Sequence, residues 1–151
     1  MKLYASLGLV AVVAIGALAA GCGGSDNDNT TTASLTKAAW ISKADAICKA
    51  GNDQISATAK QQFGNKKPTE AQIQQFTQNT VIPNTADQID KIKALGTPTE
   101  QGSQAEVVVN SAEATVNRVK ADPSLLTGNS DPFAQTNQLA KAYGMKVCGQ
   151  D

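Results

Sequence analysis

Three cysteines, at positions 22, 48 and 148, are the residues of this 151-residue chain best suited to chemistry, and no histidine accompanies them. A thiol can accept an acyl group, close a disulfide or, as thiolate, ligate a soft metal. Without an imidazole the chain has no Ser-His triad, no Cys-His dyad, no haem attachment through Cys-x-x-Cys-His and no Glu-x-x-His pair for a di-iron bundle. Met145 stands three residues before Cys148, so these two with Cys48 would offer sulfur ligands to Cu(I) if the thiols were reduced. A methionine near a core cysteine is more often packing. Asp45, Asp53, Asp87, Asp90, Glu106 and Glu113 are scattered and read as solvated helix faces rather than a catalytic group. Asp45, one turn before Cys48, is expected to be partly buried and to bond a helix terminus, a lysine or Tyr143. Carboxylate-only catalysis would need two carboxyls within roughly 5 to 10 Å of each other, and the sequence places none so. The chain therefore reads as no enzyme, with no catalytic residue, cofactor or metal site.

Cys22 belongs to a different context. Met1-Lys2 is a short positive start, and Leu3 to Ala20 is an uncharged run that ends Leu18-Ala19-Ala20-Gly21-Cys22. Small residues directly before a cysteine resemble the bacterial lipobox, with one departure: Ala19 takes the third position before the cysteine, where Leu is commoner, and Leu18 lies one further back. The resemblance implies cleavage before Cys22 and lipidation of its thiol, which would hold the protein to a membrane. Each buried methylene contributes roughly 0.8 kcal/mol, so two or three acyl chains anchor firmly. An uncleaved membrane helix and an ordinary secretory signal cut nearby are the alternatives, and both also export the domain. Gly23 to Ala33 has no large apolar residue and reads as a flexible tether. The expected organisation is a lipoprotein signal peptide over 1–21, a tether over 22–35 and a helical domain over 36–151.

An odd cysteine count outside the cell is resolved if Cys22 carries lipid. Cys48 and Cys148 then remain as an even pair in an oxidising compartment, where a disulfide is the default. The loop it closes would stabilise the fold by about 4.7 kcal/mol in the chain-entropy model. That matters here because the apolar residues are mostly alanine, and Trp40, Phe63, Phe76, Phe133 and Tyr143 are the only aromatic residues after the leader.

Periodicity predicts four helices that must position these groups. Trp40, Ala44, Ile47, Cys48, Gly51, Ile55, Ala59 and Phe63 make the first stripe, with Thr36 as N-cap and Gly64-Asn65 as its end. Thr69-Glu70-Ala71-Gln72 fits a capping box for the second, whose stripe runs from Ile73 and Phe76 through Ile89 to Leu95. Pro83 predicts a kink near Asn79 to Pro83, with a true break as the alternative. The third carries Ala105, Val108, Val109, Ala112, Val116 and Val119 before Asp122-Pro123; its run Val107 to Val109 has strand character, but no second strand exists to pair with it. The fourth starts at Asp131-Pro132 and runs through Phe133, Ala140, Tyr143 and Gly144 to Cys148. The simplest arrangement is an all-α, antiparallel up-down-up-down four-helix bundle. A disulfide between antiparallel helices one and four sets a register in which paired numbers sum to about 196, bringing Gly51 near Gly144 and Phe63 near Phe133.

Charge points away from nucleic acid. The whole chain has net charge +0, Lys66-Lys67 is its longest basic stretch and Arg118 its lone arginine. The order of Trp40-Ile41-Ser42-Lys43-Ala44-Asp45-Ala46-Ile47-Cys48, Val81-Ile82-Pro83, Gln88 to Leu95, Asp131-Pro132-Phe133, and Tyr143-Gly144 with Cys148 resembles small actinobacterial secreted lipoproteins, over residues 36 to 149. The resemblance implies export, helices and two bridged cysteines, and it supplies no activity. The expected function is a non-catalytic envelope module bound to the membrane through Cys22, with an envelope protein, a wall polymer or a small apolar ligand as partner. A ligand or soft-metal carrier that uses the bundle interior is the alternative, and an apolar groove between helices would favour ligand binding.

Overall fold

In the computed structural model the described residues are 34–126 and 130–150. Cys22, the leader 1–21 and the tether as far as Ala33 lie outside them. Helix α1 spans Lys37–Phe63; Thr36 Oγ1 accepts from Ala39 N at 3.3 Å, and Gly64, at φ 56°, closes it by donating to the Lys60 carbonyl. Trp40, Ala44, Cys48 and Gly51 are its buried residues, at the spacing of one helix face. Leu35, assigned above to the tether, packs against the core, and its carbonyl accepts from Thr99 N at 2.9 Å.

Helix α2, Glu70–Phe76, begins with the expected capping box: Gln72 N donates to Thr69 Oγ1, and Thr69 N to Gln72 Oε1. It runs through a π turn, Thr77–Val81, directly into α3, Ile82–Lys93. The cause is Pro83, which has no N–H for the Asn79 carbonyl and whose ring would press on it in a regular helix. The wider turn, in which Ile82 N–H reaches back to the Thr77 carbonyl, relieves that crowding. The path stays helical from Glu70 to Lys93, so the proline distorts the element without breaking it.

Helix α4, Gly102–Ala121, buries Ala105, Val108, Thr115, Val116 and Val119. The β-branched run is helical: Val108 is in the core and Val107 is 52% exposed. Beyond a short 3-10 turn, Pro123–Leu126, comes α5, Ala134–Tyr143. Asp131 acts just ahead of it, with Oδ1 accepting from Phe133 N at 2.8 Å.

The fourth helix is shorter than the periodicity suggests. Gly144, at φ 107°, takes the left-handed conformation that ends α5; its N–H meets the Lys141 carbonyl at 3.0 Å, and Met145 N meets the Ala140 carbonyl at 3.0 Å. Cys148 therefore sits in a turn after the helix. The two-helix register is overturned as a result. Gly51 faces Gln88 of α3, and Phe63 meets Phe76 edge-on with ring centroids 5.3 Å apart.

The result is an all-α four-helix bundle, with α2 and α3 acting as one long element. Helix α1 packs on α3, α3 on α4 and α4 on α5. Trp40 is the largest side chain that is fully buried; its Nε1 donates to the Gly96 carbonyl at 2.8 Å and its ring meets Tyr143 edge-on at 5.7 Å.

Candidate functional site: an apolar cleft beside the disulfide

The fourth side of the bundle, between α1 and α5, is closed largely by the turn that follows α5. Two devices pin that turn to α1. Cys48 and Cys148 are joined, with an S–S length of 2.04 Å and Cα atoms 5.3 Å apart. One helical turn earlier, the Asp45 carboxylate accepts from three successive backbone amides: Lys146 N at 2.9 Å, Val147 N at 2.9 Å and Cys148 N at 3.1 Å. Asp45 is thus the structural group its position suggests, though its partners are amides of a turn rather than a helix end, lysine or tyrosine.

Between this turn and the four helices lies a cleft of about 550 Å³, within the size range of small-molecule sites. Helix α1 contributes Cys48, Asn52 and Ile55, three residues on one face. Val81, Thr85, Gln88 and Ile92 line it at spacings of four, three and four, one face of the distorted helix. Val108, Val109 and Ala112 come from α4, Thr136, Asn137 and Ala140 from α5, and Phe133 from just before α5. Val147 and Cys148 finish the wall from the pinned turn. No known protein clarifies its use: no family model, curated protein or solved structure matches this chain.

The walls are mainly aliphatic, with uncharged amides and hydroxyls at a few points. Gln88, 7% exposed, donates through Nε2 to Asn84 Oδ1 at 2.7 Å, and Asn84 Nδ2 donates to Gln54 Oε1 at 3.0 Å. Gly51 makes room for it, since a Cβ there would stand 2.2 Å from Gln88 Nε2. Among the described residues Asp131 is the one ionisable side chain in the lining.

The other candidates fall elsewhere. Both sulfurs that a soft metal would need are joined to each other, and Met145 is a core residue, 4% exposed. Asp53 pairs with Lys49 and Asp87 with Lys91 on exposed helix faces, where such pairs contribute little. Glu113 takes both oxygens to Lys93 Nζ at 2.9 Å, and this hydrogen bonding raises the Lys93 pKa. Glu106 accepts from Thr97 Oγ1 at 3.0 Å. Among the described residues no group of three or more His, Cys, Asp or Glu could hold a metal ion, and no helix is long and apolar enough to cross a membrane.

Gln88 and Asp131 escaped the sequence reading as wall residues. A signal for Gln88 existed: an amide between Thr85 and Ile92 at helical spacing interrupts an otherwise apolar face.

Proposed function

We propose that this protein is an extracytoplasmic lipoprotein, held to a membrane through lipid on Cys22, whose helical domain binds a small apolar ligand without transforming it. The observation that carries the ligand reading is the aliphatic cleft of about 550 Å³. The uncharged run Leu3 to Ala20, followed by Gly21-Cys22, supports the anchor. The disulfide suits an oxidising compartment outside the cytoplasm. Of the partners expected above, the aliphatic cleft favours the apolar ligand, since a wall polymer, rich in polar groups, would find few partners on such walls.

Methyl-resolved NMR of the full chain in lipid nanodiscs tests the ligand reading with 1-dodecanol as probe. Methyl signals of Ile55, Ile89, Ile92 and Val108 should shift saturably, and Ala112→Phe, which fills the cleft from α4, should abolish the shifts. Shifts that are absent, or that persist in the filled variant, would remove the cleft as the site. Intact mass tests the anchor. Residues 22–151 plus acyl chains, with two alkylations only after reduction, is the expected result, and an unacylated mass would refute lipidation.

A further inference from the structure

Charge and hydrogen bonding in the cleft wall define the class of ligand, granted the ligand-binding reading above. Among the described residues Asp131 is the only ionisable group in the lining, and no lysine or arginine joins it. Its carboxylate is engaged within the protein, Oδ1 with Phe133 N at 2.8 Å and Oδ2 with Asn137 Nδ2 at 3.4 Å. Arg118 directs Nη2 to Thr115 Oγ1 at 3.5 Å and the Pro132 carbonyl at 3.4 Å, and it does not line the cleft. An anionic headgroup would lose hydration there without gaining a counter-charge, which apolar surroundings penalise heavily.

Gln88 supplies the complementary polar feature. Gln88 Nε2 is engaged by Asn84 Oδ1, in a relay that continues from Asn84 Nδ2 to Gln54 Oε1. This leaves Gln88 Oε1 accepting no hydrogen bond among the described residues, in a residue that is 7% exposed and lines the cleft. A carbonyl oxygen in such a wall is an acceptor that fixes a ligand's orientation. We infer that the cleft takes an uncharged amphiphile, an apolar chain bearing one hydroxyl or amide N–H that donates to Gln88 Oε1.

Three probes of equal chain length separate this from the broader reading: 1-dodecanol, its methyl ether and dodecanoate, each titrated into the disulfide-intact full chain and read by native mass spectrometry. The alcohol should bind about five- to tenfold more tightly than the ether, which cannot donate, and more tightly still than the carboxylate. Gln88→Met, close in volume, should erase the preference for alcohol over ether, and Asp131→Asn should narrow the gap to dodecanoate. Equal binding of all three probes, or tightest binding of dodecanoate, would overturn this ligand class and leave the apolar cleft standing. Binding of none would remove the cleft as a ligand site, and the ligand class with it.

Discussion

Single residues in this protein do work that their neighbours in sequence do not announce. Asp45 is an ordinary helix carboxylate until the turn after α5 brings three amides to it. Hydrogen bonds to a charged acceptor contribute about 1.5–3 kcal/mol each in favourable cases, and these are partly exposed. Asp45→Asn, which keeps the shape and loses the charge, should destabilise the fold by about 1–2 kcal/mol in urea unfolding. Tyr143 is the opposite case: its hydroxyl is buried without a hydrogen-bond partner among the described residues. Tyr143→Phe should therefore cost almost nothing, or stabilise by up to about 1 kcal/mol. Burial, and secondarily the charge of Glu100, raise the pKa of this phenol above its ordinary 10.0. The folded state thus holds the Tyr143 proton more tightly than the unfolded chain does. The associated stability is fully present below pH of about 10 and is lost as pH rises through the folded value. Unfolding followed from pH 8 to 12 should show that loss in the parent chain and a smaller one in Tyr143→Phe.

At the scale of elements, what could be read from sequence was whatever depends on neighbours along the chain. Thr36 and the Thr69–Gln72 box mark helix starts because a cap and its target are three residues apart. The stripe Trp40, Ala44, Cys48, Gly51 is a fixed geometric consequence of helical spacing. Pro83 likewise announced a distortion, although whether the chain would kink, break or widen into a π turn depends on how its neighbours pack. The glycines were misread for a similar reason. Gly51 and Gly144 look alike as small residues one turn from a cysteine, yet one admits Gln88 and the other ends α5 at φ 107°. Gly144→Ala should destabilise by about 1 kcal/mol through backbone strain. Gly51→Ala should cost about 1–3 kcal/mol, because the new Cβ displaces a buried Gln88. Chemical denaturation of the two variants, with the Gln88 amide followed by NMR, separates the mechanisms: only Gly51→Ala should move it.

For the whole molecule, the disulfide matters because of where it lies as well as the loop it closes. It spans 100 residues and fastens the turn that forms one wall of the cleft. Cys48→Ala with Cys148→Ala should lower stability by about 2–5 kcal/mol and should weaken ligand binding too, because Val147 and Cys148 lose one of their two fastenings. The pairing was legible from cysteine arithmetic, whereas the cleft was not: it is the space left where α1 and α5 do not close on each other, and no residue encodes a space. Native mass spectrometry of the full chain, purified from its own source with the disulfide intact, tests the central claim most directly. A one-to-one adduct of a small apolar molecule, lost on solvent extraction, restored by 1-dodecanol and absent from Ala112→Phe, is the predicted result. No adduct before or after addition of 1-dodecanol, or one that Ala112→Phe retains undiminished, would contradict the account.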